Sequence, residues 1–166
     1  MKRGFSFREG KRAVTYVPKQ GTALGVCATF NRRYLCCHVH VLRSVHNCPY
    51  ECTYCFLQNY LTDGQMKIVA DTDALMDEVR GLTGGAPWRL FRIGTWELGD
   101  SLALDRESGQ AGKLIEGFAG LENAVLELKT KSSVVDGILG VKHGGKTVVS
   151  WSLNTPFIIE REERGT

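Results

Sequence analysis

The chain has 166 residues, 43% of them hydrophobic, and a formal net charge of +3, which suits one folding unit around a single core. No apolar run approaches the roughly 18–20 residues that a membrane span needs. The basic start, Met1-Lys2-Arg3-Gly4-Phe5, lacks the apolar stretch of a secretory signal, so a cytoplasmic location with no membrane partner is expected.

The charge is divided along the chain. Residues 1–47 carry nine Lys/Arg against one acid, Glu9, whereas residues 48–166 carry twelve basic and seventeen acidic groups. A basic arm interspersed with Phe5, Phe7 and Tyr16 suits contact with a polyanion such as nucleic acid, and equally suits a solvated leader. Residues 1–34 are Gly-rich with little periodicity and are expected to be irregular; residues 35–166 are expected to form the folded domain.

Regular elements are expected from there on. Val39 to Val45 is β-prone and runs straight into a cysteine cluster. After a connector from Phe56 to Ala70, Asp71 is a natural N-cap for a helix with Ala74, Leu75, Met76, Val79 and Leu82 on its apolar side. Gly84-Gly85-Ala86-Pro87 ends that helix. Trp88 to Ile93 predicts a second strand, and a helix follows from Asp105 or Gly109 to Ala119. Ala124 to Thr130 predicts a third strand, Val134 to Val141 a short helix at 3.6-residue spacing, and Lys146 to Asn154 a fourth strand. This alternation argues for parallel βα units, about four of them, in an α/β fold of partial (β/α) barrel type. Polar groups at the strand C-terminal ends would then share one mouth.

All six cysteines lie between Cys27 and Cys55, with none in the remaining 111 residues. A metal centre gathers cysteines in this way, whereas structural disulfides would be spread out and are disfavoured in a reducing compartment. Cys48, Cys52 and Cys55 have the spacing C-x3-C-x2-C, which places three thiolates on one loop for three irons of a [4Fe–4S] cluster. The fourth iron would stay open to S-adenosyl-L-methionine, with Tyr54 beside the cofactor. Zinc is the competing reading, with His40, His46, Cys36 or Cys37 as a fourth ligand, and would give a nucleic-acid-binding module without catalysis. Cys27, Cys36 and Cys37 are otherwise expected to pack as small apolar residues.

The cysteine motif, with an aromatic before its last member, resembles the radical S-adenosylmethionine signature. Cys48 to Leu61, Arg92-Ile93-Gly94-Thr95, Asp100 to Asp105, Leu126 to Lys131 and Ser150 to Asn154 resemble, in order, the spore photoproduct lyase family. The resemblance implies a reduced cluster that cleaves S-adenosylmethionine to a 5′-deoxyadenosyl radical, used for light-independent repair of thymine dimers in DNA. By motif position it implies that Glu97 meets the methionyl amino group, Lys131 its carboxylate, and Ser152 another polar part of the cofactor. It also implies a cellular electron donor such as flavodoxin or ferredoxin.

Two departures qualify the resemblance. The family uses a further cysteine downstream of the cluster, and none follows Cys55; a radical enzyme acting on a non-DNA substrate is the alternative. Four strands cannot close a barrel, so the chain is expected to be truncated at its C-terminal side or completed by a second chain.

Overall fold

The computed structural model describes residues 10, 11, 13–28 and 33–166. Most of the basic arm, including Phe5 and Phe7, lies outside the described residues.

The strand–helix alternation is realised as a mixed α/β fold built on a five-stranded sheet. β2 (Leu24–Val26), β3 (His40–Leu42), β7 (Phe91–Gly94), β8 (Ala124–Thr130) and β9 (Thr147–Trp151) lie side by side in that order. β3, β7, β8 and β9 are mutually parallel, and β2 runs antiparallel to β3. Among the described residues the sheet is open and does not close on itself. β1 (Val14–Val17), β6 (Met66–Val69) and β4 (Val45–His46) form a smaller sheet, with β1 parallel and β4 antiparallel to β6. β5 (Glu51–Cys52) pairs antiparallel with β10 (Glu163–Arg164).

One face of the larger sheet buries the apolar sides of α2 (Thr72–Gly85) and α4 (Gln110–Ala119). Leu75, Met76, Val79, Leu114, Ile115 and Phe118 meet Phe91, Ile93, Leu126 and Leu128 in the core. The Asp71 side chain caps α2, accepting Ala74 N–H at 2.9 Å. Each fully buried aliphatic side chain here stabilises the fold by about 1.5–3 kcal/mol. No helix among the described residues is long and apolar enough to cross a membrane.

Several local expectations are corrected. Residues 1–34 are not irregular throughout, because they contain β1 and β2, whose ladders come from β6 and β3 far along the chain. The strand expected over Val39–Val45 is two strands, broken where Ser44 N–H turns back to Leu42 C=O at 2.9 Å. The connector after Cys55 contains α1 (Leu57–Tyr60) and β6. Gly109, at φ +56°, separates α3 (Asp105–Ser108) from α4. Over Val134–Val141 only a single 3-10 turn forms, at Asp136–Ile138, since Gly137 and Gly140 oppose a longer helix. α5 (Pro156–Glu162) then leads into β10.

Candidate cofactor and metal site

The loop carrying the three cysteines is set by Asn47, whose φ of +68° lies in the left-handed region that asparagine tolerates. Its side chain accepts Cys48 N–H at 2.8 Å and donates to Gly64 C=O at 2.7 Å, and its own N–H reaches Leu98 C=O at 2.7 Å. Cys55 N–H and the Gln58 side-chain amide both donate to Cys52 C=O, at 3.1 and 2.7 Å. The β5–β10 pairing and the Thr53 N–H to Glu162 C=O bond at 2.8 Å fasten the loop's far side to the C-terminal segment.

This loop forms one wall of a cavity of about 270 Å³. Cys48, Cys52, Cys55, Tyr54, Glu97, Lys131 and Ser152 all line it, so the structure brings together the residues expected to hold the cluster and S-adenosylmethionine, but not the alternative zinc ligands. The reason is topological: β7, β8 and β9 are parallel, and their C-terminal ends deliver residues 96–100, 129–131 and 152 to the same edge. A larger cavity of about 330 Å³, walled by Arg43, His46 and Lys67 among others, contains none of these residues.

All three cysteines of the loop line the cavity. Among the described residues no group of three or more His, Cys, Asp or Glu is gathered closely enough to hold one metal ion. Three thiols on one loop suit a multi-iron cluster, in which each would hold a different iron; tetrahedral zinc needs four ligands around one centre. The histidines and cysteines offered as a fourth zinc ligand do not line the cavity. His40 instead stacks edge-on against Phe91 at 5.4 Å. Burial pushes the Cys48 thiol up to about 12 and also raises Cys52, where the neighbouring Glu163 adds to the shift. Metal binding must therefore displace protons.

Lys131 Nζ donates to Ser152 C=O at 3.0 Å and to Glu163 Oε1 at 2.7 Å. Glu163 also receives the Tyr54 hydroxyl and the Asn154 amide. Burial alone would raise the Glu163 carboxyl, but the bonds from Lys131, Tyr54 and Asn154 hold it below its usual range. Glu97 accepts Ala28 N–H at 2.9 Å and faces Arg43 Nε at 3.6 Å.

Trp96 folds over the sheet face opposite the core, packed with Cys27, Val39 and Val41, and Lys129 Nζ sits 4.4 Å above its ring. Of the three remaining cysteines, only Cys27 packs as expected; Cys36 is half-buried and Cys37 exposed.

Two residues of the site were missed in the sequence. Asp100 lines the cavity and accepts the amides of Leu102, Ala103 and Lys131 and the Thr130 hydroxyl. Its signal was an aspartate placed to accept amides two and three residues on. Glu163 had no local signal, standing in the charged run Glu160-Arg161-Glu162-Glu163-Arg164.

The spore photoproduct lyase of Clostridium acetobutylicum is 29% identical over 126 residues, 74% of this chain and 37% of that protein. The spore photoproduct lyase of Bacillus subtilis is 25% identical over 120 residues, 72% of this chain and 35% of that protein. The chain thus spans little more than a third of the curated relatives it matches. A solved spore photoproduct lyase variant with bound AdoMet and dinucleoside spore photoproduct superposes with a TM-score of 0.86 at 20% identity, covering 96% of this chain and 45% of that one. That likeness speaks for the fold. The family model described as spore photoproduct lyase matches residues 40–166, well over half of the sequence, and the chain belongs to the spore photoproduct lyase family.

Proposed function

We propose that the chain is the cofactor-cleaving part of a radical S-adenosylmethionine lyase that repairs a thymine photoproduct in DNA. The observation that carries this reading is the single cavity shared by the three cysteines and the polar ends of three parallel strands. Cys48, Cys52 and Cys55 would hold a [4Fe–4S] cluster, which when bound supplies the electron that cleaves S-adenosylmethionine to a 5′-deoxyadenosyl radical. Lys131 provides the counter-charge for the methionyl carboxylate, Ser152 a polar contact and Tyr54 an aromatic wall. Glu97 provides a carboxylate for the amino group, and its 3.6 Å ion pair with Arg43 is the contact an incoming ammonium would replace.

The solved relatives bind a dinucleoside spore photoproduct, which supports a DNA lesion as substrate here. A flavodoxin or ferredoxin would deliver the electron. The four parallel strands are read as the first units of a (β/α) barrel, with the edge of β9 that is unpaired among the described residues open to further strands of the polypeptide or of a second chain. A second reading keeps the radical and changes the substrate, favoured by the absence of cysteine from residues 56–166.

The test is anaerobic incubation of the reconstituted, reduced chain with S-adenosylmethionine and a dinucleoside spore photoproduct. Both 5′-deoxyadenosine and restored thymidylyl-thymidine are expected. Deoxyadenosine without repair favours the second reading; neither product from a cluster-loaded chain overturns both.

A further inference from the structure

Glu163 does not line the cavity, yet it joins two groups that do. Lys131 comes from the end of β8 and Tyr54 from the cysteine loop, and both bond to the same oxygen, Glu163 Oε1. Asn154, just after β9, bonds to that oxygen and donates to the Tyr54 hydroxyl at 3.1 Å. The Glu163 side chain is 2% exposed and that of Lys131 17%, so water competes little for these bonds. β10 adds a second tie, since Glu163 lies in register with Cys52. One buried carboxylate therefore fixes a strand-end cation, a loop phenol and the backbone of a cysteine ligand relative to one another.

We propose that Glu163 is a positioning residue of this cavity, holding Lys131 and Tyr54 in place for the carboxylate end of the ligand without touching the ligand itself. This rests on the reading of the cavity as a S-adenosylmethionine site. The physical argument concerns preorganisation. A lysine side chain loses rotamer freedom when it is fixed on an anion, and a charge partner that restrains it beforehand lowers the cost of binding. A neutral side chain at 163 would keep the shape and release the ammonium. The adenosine end of the ligand should not sense the change.

The test is calorimetric titration of the cluster-loaded, unreduced chain with S-adenosylmethionine and with 5′-methylthioadenosine, which lacks the amino-acid moiety. Glu163→Gln is expected to weaken S-adenosylmethionine binding about tenfold and to change methylthioadenosine binding by less than about twofold. Lys131→Met should cause a similar selective loss, and the double variant should be no weaker than Lys131→Met alone, because coupled residues do not add. If Glu163→Gln melts early, the double variant carries the test, since it leaves no unpaired buried charge. Unchanged S-adenosylmethionine binding in Glu163→Gln, equal loss for both ligands, or additive losses in the double variant would each overturn the role. A wild-type chain that holds its cluster and binds no S-adenosylmethionine would instead overturn the assignment of the site.

Discussion

The Asp100 carboxylate accepts the Thr130 hydroxyl at 2.5 Å, tying the loop after β7 to the end of β8. The same carboxylate takes Lys131 N–H at 2.7 Å, so the backbone that presents Lys131 to the cavity hangs on it. Asp100 is 9% exposed. Asp100→Ala would strand a buried hydroxyl and several amides, and a loss of about 2–3 kcal/mol in unfolding free energy is expected. Thr130→Val removes the hydroxyl that donates to Asp100 and accepts Ser132 N–H at 2.8 Å, leaves fewer groups unpartnered, and should cost less. Urea unfolding of both variants checks the order.

Gly94 ends β7 beneath the Trp96 indole, where an added Cβ would lie 2.3 Å from Trp96 Nε1. Gly94→Ala is expected to destabilise the fold by about 1–3 kcal/mol through overpacking. Trp96→Ala should remove most of that penalty when the two are combined. Thermal melts of the two single variants and the double variant measure the coupling; a penalty that persists without the indole would show that the clash lies elsewhere.

Glu78 on α2 binds Lys19 Nζ at 2.5 Å and the amides of Ala23 and Leu24 at 3.1 and 2.8 Å, anchoring the start of β2. Burial works to raise its carboxyl, but the lysine and the two amides outweigh it and hold it below the usual 4.5. A depressed folded-state value gives stability that is present above the unfolded value and lost as pH falls through the folded one. Between about pH 6 and about pH 3, wild type should therefore lose more stability than Glu78→Gln. Denaturant midpoints across that range decide it, and equal slopes would contradict the anchor.

The parts legible in the sequence were those whose cause is local. β8 was read with its observed bounds, Ala124–Thr130, because Ala124, Val125, Leu126 and Leu128 form a β-prone run between turns. α2 followed from Asp71 and the spacing of Leu75, Met76 and Val79. The cavity was foreshadowed because strand ends in a parallel sheet share an edge. What escaped notice depends on distant partners. β1 and β6 are four-residue strands that exist through each other, about fifty residues apart. The β5–β10 pair joins Cys52 to Glu163 across more than a hundred residues, so neither the pairing nor the buried role of Glu163 could be read from its charged neighbourhood. The helix expected from Asp105 or Gly109 is two helices, because Gly109 takes a left-handed conformation between them.

The most direct measurement is the iron, acid-labile sulfide and zinc content of the anaerobically purified chain, beside Cys48→Ala, Cys52→Ala and Cys55→Ala. The expected result is about four irons and four sulfides per chain, the content of a [4Fe–4S] cluster, with loss in each variant. About one tightly held zinc and no sulfide, persisting after attempted cluster reconstitution, would contradict the cluster and with it the radical chemistry.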